Sequence, residues 1–186
     1  MSKESDLAAV AEDIAKLKSQ FDLADKSVPG EGNPDSELMI IGEAPGHLEN
    51  KTGRPFVGSA GKLLEKLLME IGIERKDVFI TSIVKFYPGQ RAPSQKEIDL
   101  CLPFTLKQID IIKPKVVLLL GSIAIKALLG KDKSITKEHG KLVRNELGNL
   151  FPTFHPAAAL RFEKYLPVIR SDLKKLDSML QLIRSL

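Results

Sequence analysis

The chain has 186 residues, 43% of them hydrophobic and 28% charged, with a formal net charge of +4. That length suits one globular domain with a sizeable core, and no apolar run approaches the roughly 20 residues that a membrane-crossing helix needs. The modest positive charge is compatible with nucleic-acid binding without arguing for it. One cysteine, Cys101, excludes an intrachain disulfide and suits a reducing, cytoplasmic setting. The opening residues carry no basic stretch followed by an apolar one, so no secretory leader is expected.

In chain order, Leu7, Val10, Ala11, Ile14, Leu17 and Phe21 recur at helical spacing and predict an opening amphipathic helix. A turn-rich connector follows over 27–35, and the apolar run 38–41 predicts the first strand. Leu63, Leu64, Leu67, Leu68 and Ile71 form a helical stripe that stops near Gly72. The second strand is expected over 78–81, reaching toward Val84, with a polar, proline-bearing loop over 86–93. Ser94, with Glu97 three residues on, makes a capping box for a helix that breaks before Pro114. The run 116–120 lacks polar alternation and predicts a strand buried on both faces. Gly121 and Ser122 open another helix to about Leu129. A basic, irregular segment over 130–148 contains a hairpin pattern, a last strand spans 150–153, and a closing helix runs from about Leu166. Strands alternating with helices predict an α/β fold: a three-layer domain with a mostly parallel, four-stranded central sheet and helices on both faces. One domain is expected over 1–186: helix and connector (1–27), core (28–161) and C-terminal helix (162–186).

The stretch 42–64 is the most constrained part of the chain. Its glycines and prolines forbid both a long helix and a regular strand, so it reads as a shaped loop where a strand ends and a helix begins. Ligand crevices of α/β sheets lie at that edge. Three loops, over 42–61, 82–93 and around His155, converge there and bring Glu43, Glu49, Phe56, Ser82, Lys85, Arg91, His155 and Arg161 to one pocket. The histidines at 47, 139 and 155 are scattered and the lone cysteine completes no zinc set, so no metal site is expected. Neither a nucleophile elbow nor a Walker motif is present. From pattern alone Phe56 reads as core, His155 as a helix cap, Glu43 as a loop carboxylate, and the lysines of 113–141 as a solvated face.

The motifs together carry more. Gly42-Glu43-Ala44-Pro45-Gly46, then Gly53-Arg54-Pro55-Phe56-Val57-Gly58 with Ala60-Gly61, and His155-Pro156-Ala157-Ala158 with Leu160-Arg161 resemble the motifs of family-4 uracil-DNA glycosylases. The segment 29–35 resembles the one preceding that family's first strand, and the likeness runs from about Val28 to Arg161. The resemblance implies a uracil-DNA glycosylase fold and hydrolysis of the N-glycosidic bond of deoxyuridine, in single- or double-stranded DNA, leaving an abasic site for base excision repair. A base inside a duplex must be flipped out to be reached. The resemblance makes Phe56 the stacking platform and His155 the donor to uracil O2. Glu43 and Glu49 become candidates for holding the water. Ala44, Pro45, Gly46 and Ser82 contact the base, and Lys85, Arg91 and Arg161 contact DNA. No lysine sits in either motif where a Schiff base would need one, so a monofunctional enzyme is expected, cytoplasmic and monomeric.

Two departures from that family stand out. Its iron–sulfur cluster takes four cysteines and this chain has one, so no cluster and no other cofactor is expected. Phe86 stands where the third cysteine would be, and Phe21, Leu23 and Phe86 are expected to fill the space. Ser82 stands where the family commonly has an asparagine that reads the uracil edge. That difference motivates one rival, a glycosylase for hypoxanthine or xanthine; two further rivals are a damaged-DNA-binding protein without turnover and a small-molecule nucleotide hydrolase on a similar sheet.

Overall fold

The opening stripe forms helix α1 (Lys3–Lys16), whose N-cap Ser2 accepts a hydrogen bond from the Ser5 amide. The helix ends before the stripe does: Leu17 closes it, a short 3-10 turn follows, and Phe21 arrives in extended backbone. The computed structural model, which describes residues 2–185, continues with β1 (Glu31–Gly32), β2 (Leu38–Gly42), α2 (His47–Thr52), α3 (Ser59–Met69), β3 (Phe79–Ser82) and α4 (Gln95–Ile112). It closes with β4 (Val116–Leu120), α5 (Ser122–Leu129), α6 (Ile135–Glu138), β5 (Val143–Asn145), β6 (Gly148–Thr153), α7 (Pro156–Arg161) and α8 (Tyr165–Ser185). The capping box of α4 forms as expected, and the helix stops at Lys113 in left-handed backbone.

Strands β3, β2, β4 and β6 lie side by side and parallel, as the apolar runs imply. The expected count of four is too low, because β1 and β5 add antiparallel edges to give six strands in the order β1-β3-β2-β4-β6-β5. Neither edge carries an apolar pattern. β1 is two residues long, and a Cβ on Gly32 would stand 2.0 Å from the Val78 carbonyl oxygen.

Alternation along the central strands builds the three layers. Met39, Ile41, Val117 and Leu119 join a core with Val10 and Ile14 of α1, Ile109 of α4 and Ile125 of α5. Leu38, Ile40, Leu118 and Leu120 join a second core with Leu64 and Leu67 of α3 and Leu173 and Leu176 of α8. Burying each such side chain stabilises the fold by about 1.5–3 kcal/mol. The register pairs Gly42 with Ser82 at the carboxyl ends of β2 and β3, which brings the two following loops to one edge.

Leu118 is fully buried at the middle of the sheet. Leu118→Ala is expected to destabilise the protein by about 2–5 kcal/mol through the cavity it leaves, measured by urea denaturation.

Candidate active site

The loop after β2 is not irregular throughout. Residues 47–52 wind into α2, which Gly53 ends in left-handed backbone (φ 76°). Asn50 anchors this helix: its Oδ1 accepts from the Asp25 amide at 2.8 Å and its Nδ2 donates to the Leu23 carbonyl at 3.3 Å. Beyond it the chain turns through Phe56, itself left-handed with φ 50°. A bulky residue there costs on the order of 1–3 kcal/mol. Two glycines make the turn fit. A Cβ on Gly61 would stand 1.9 Å from the Phe56 carbonyl oxygen, and one on Gly42 would stand 2.5 Å from the tip of the Phe56 ring.

The result is a cavity of about 420 Å³ lined by Ala44, Pro45, Gly46, Glu49, Phe56, Ser82 and His155, with Val28, His47 and Leu48 among the other walls. Phe56 and His155 lie with ring centroids 5.5 Å apart and planes 25° from parallel. Ser82 is buried at the end of β3 beside the Phe56 ring. Among the described residues its hydroxyl has no hydrogen-bond partner. A second, more open cavity of about 740 Å³ shares Ala44, Pro45, Gly46, His155 and Ala157 and adds Glu43, Arg91 and Arg161. The two expected carboxylates line different cavities: Glu49 the first and Glu43 the second.

His155 does two things at once. It is the N-cap of α7, its Nδ1 accepting from the Ala157 amide at 3.1 Å. A backbone amide can only donate, so Nδ1 holds a lone pair and the neutral ring carries its proton on Nε2. Burial pushes the His155 pKa down to about 4, against the pull of the Glu49 charge. At neutral pH the ring is an uncharged donor.

Glu49 is tied into the loop: its Oε1 accepts from the amides of Val57 and Gly58, both at 2.8 Å. Glu43 accepts from the Ile123 amide at 3.1 Å, and burial raises its pKa, only partly opposed by that bond. Gly121 makes room for it, since a Cβ there would stand 2.7 Å from Glu43 Oε2 and 3.2 Å from His155 Cβ. Sequence pattern marks Gly121 only as a helix start; its φ of 91° is what requires glycine.

The cations are less uniform than the sequence suggests. Arg161 is exposed at the rim of the second cavity, over the Phe162 ring. Arg91 is exposed too, but Glu97 engages its guanidinium at 2.8 and 2.9 Å. Lys85 corrects the expectation outright: it is fully buried and cannot reach a phosphate. Its Nζ donates to Thr81 Oγ1 and the Ser82 carbonyl, both at 2.6 Å, and to Gln108 Oε1 at 2.9 Å. Thr81 and Gln108 in turn both donate to the Pro29 carbonyl. Lys85 thus pins the end of β3 to α4 and to the segment beside Val28. Burial pushes its pKa down to about 7.

The residues do not fit the iron–sulfur cluster that the resemblance implies. The single thiol, Cys101, is buried, and burial raises its pKa, away from the thiolate that binds iron. Phe21 and Phe86 stack with centroids 4.2 Å apart, filling the interior as expected. Leu23 does not join them, being 58% exposed. Among the described residues no three His, Cys, Asp or Glu side chains group as a metal site, and no helix is long and apolar enough to cross a membrane.

A sheet whose strand ends carry this pocket defines a class, and the sequence comparisons agree with it. The model of the uracil DNA glycosylase superfamily matches residues 29–181. A type-4 uracil-DNA glycosylase of Sulfurisphaera tokodaii is 45% identical over 163 residues, 82% of this chain and 74% of that protein. Those of Saccharolobus solfataricus (41% identical; 94% of this chain and 86% of that one) and Thermotoga maritima (43%; 83% of each) are similar over comparable spans. The chain belongs to the uracil DNA glycosylase superfamily.

Two substitutions separate the cations. Lys85→Met should destabilise the fold by about 1–3 kcal/mol for each acceptor left unpaired and leave the salt dependence of DNA affinity unchanged. Arg161→Ala should reduce that salt slope by about one. The pH dependence has a defined sign. Between about pH 7 and the ordinary lysine value of 10.5, the unfolded chain holds a proton that the native Lys85 has released. Stability therefore rises with pH across that window. Denaturation of the wild type and Lys85→Met from pH 7 to 10 should show this rise only in the wild type.

Proposed function

We propose that the chain is a monofunctional DNA-repair glycosylase that hydrolyses the N-glycosidic bond of deoxyuridine, with the first cavity holding the flipped base. The observation that carries the reading is the pairing of a rigid aromatic with a neutral histidine, Phe56 and His155, in the wall of a cavity that Ser82 also lines. As the bond breaks, the sugar gains positive charge and the base leaves as an anion. The uncharged Nε2–H of His155 donates to the oxygen where that anion's charge collects and so acts mainly in the transition state. Phe56 gives the base a face to stack on.

The two carboxylates divide the remaining work. Glu49, committed to the Val57 and Gly58 amides, shapes the base pocket. Glu43, in the more open cavity, holds the attacking water beside the sugar. Ala44, Pro45 and Gly46 form the wall shared by the two cavities and contact the base on one side. Ser82 reads the far edge of the base with a hydroxyl that both donates and accepts. Arg161 and Arg91 at the rim of the second cavity hold DNA phosphates, positioning the strand without reading its sequence. Among the described residues no lysine lines either cavity, which supports hydrolysis over a Schiff-base route.

The enzyme works without iron, since one buried thiol cannot hold a cluster that takes about four. It folds as one domain, acts as a monomer and serves in the cytoplasm. Stoichiometric iron in pure protein, with its visible absorbance, would overturn the iron-free reading.

Purified protein incubated with oligonucleotides carrying one uracil, hypoxanthine or xanthine, then treated with alkali, should cleave at uracil. Tight binding without cleavage would favour a damaged-DNA-binding protein instead. His155→Ala should slow single-turnover excision by about 10²–10³-fold while changing DNA affinity far less. Because the ring is neutral well below its ordinary value, the acid limb of kcat/KM should show no step near pH 6.5. Ser82→Asn should raise uracil excision if the serine weakens the readout; an unchanged rate would count against that idea.

A further inference from the structure

Phe56 keeps a left-handed backbone that a large side chain disfavours, and its loop alone does not explain what holds it there. The holder comes from outside both motif stretches. Arg75 opens the 3-10 turn Arg75–Asp77 beyond α3, on no wall of either cavity. Its Nη1 donates to the Phe56 carbonyl at 2.9 Å and its Nη2 to the Pro55 carbonyl at 2.5 Å. We propose that Arg75 is a positioning residue for base excision: its guanidinium locks the Pro55–Phe56 backbone and so fixes the Phe56 ring. This rests on the reading of Phe56 as the base platform.

The arrangement is more than a surface ion pair. A planar guanidinium presents donors in a fixed fork, and here two neighbouring carbonyls receive it. The same two nitrogens are braced from behind, Nη1 by Glu65 Oε1 at 2.8 Å and Nη2 by Glu31 Oε1 at 2.9 Å. Glu31 is itself gripped by Arg54 at 2.8 and 2.9 Å, and Arg54 lies in the same loop as Phe56. These pairs hold the Glu31 carboxyl below the usual carboxylate range, Arg54 contributing most. The Arg75 side chain is only 20% exposed, so its charge-assisted bonds are screened less than those of a free surface pair. Gly61 presses α3 against the Phe56 carbonyl from one side and Arg75 ties that carbonyl from another. Phe56 lines the first cavity, its ring stacked on that of His155.

A bystander arginine would merely add stability. Single-turnover excision of uracil from a single-stranded oligonucleotide, with every rate corrected for the fraction folded, distinguishes the two roles. Arg75→Gln should lower the rate by about 10–100-fold, the scale of a sub-ångström to 1 Å misplacement. Arg75→Lys should fail to restore it, because one ammonium does not supply the fork. In a Phe56→Ala background, Arg75→Gln should change the rate by less than about twofold, since the residue it acts through is gone. Equal losses in both backgrounds, or full activity in Arg75→Lys, would overturn the proposal. The ¹³C shift of the Phe56 carbonyl, assigned by Phe56→Leu, gives an arm that needs no catalysis. It should move in Arg75→Gln at unchanged circular dichroism, and an unmoved shift would overturn the clamp. If the wild type excises no uracil, the glycosylase reading falls and the carbonyl shift still decides whether Arg75 holds Phe56.

Discussion

The Phe56 ring stands where it does because two neighbours have no side chain. Gly42, at the end of β2, leaves the space that the ring tip enters, and Gly61, in α3, lets the helix lie directly on the Phe56 carbonyl. Much else follows from that contact. The loop must leave β2, wind through α2, and return to the strand end with Phe56 in left-handed backbone. Glu49 can then cap the Val57 and Gly58 amides as α3 begins. A methyl group at either glycine would push the ring or the helix away, and the pocket would lose a wall.

The sequence shows the sheet centre clearly because apolar periodicity is a local signal. The strand over 116–120 and the helix capped by Ser94 and Glu97 appear where expected. So does the meeting of the three loops at one sheet edge, which follows from strand direction alone. What it hides depends on long-range packing. Lys85 reads as a loop cation that contacts DNA, and its burial arises only when α4 and the segment at Pro29 close over the end of β3. Arg75 has no local pattern at all; its meaning lies in carbonyls 19 and 20 residues away. Edge strand β1 and helix α2 are too short to show a period. His155 is the helix cap that the pattern suggests and also lines the pocket.

The charged residues also divide by location more than by type. The basic stretch after α5 reads as a solvated face, yet it is anchored through His139, whose Nδ1 meets the buried Asp172 carboxylate at 2.9 Å. Thr153 at the end of β6 donates to the same carboxylate at 2.7 Å. Asp172 therefore joins α8, the strand that leads to His155, and the segment before β5. Ion pairs at the surface, such as Arg170 with Glu70, are worth little by comparison.

Cys101 gives the fold one more property. It lies on α4, wholly inside the core, with its sulfur accepting from the Lys85 amide at 3.5 Å. The chain holds no second cysteine, so among the described residues the native protein offers thiol-directed reagents no accessible thiol. Its rate of labelling records how often α4 lifts away from the end of β3, making the thiol an intrinsic clock for the breathing of the scaffold behind Ser82.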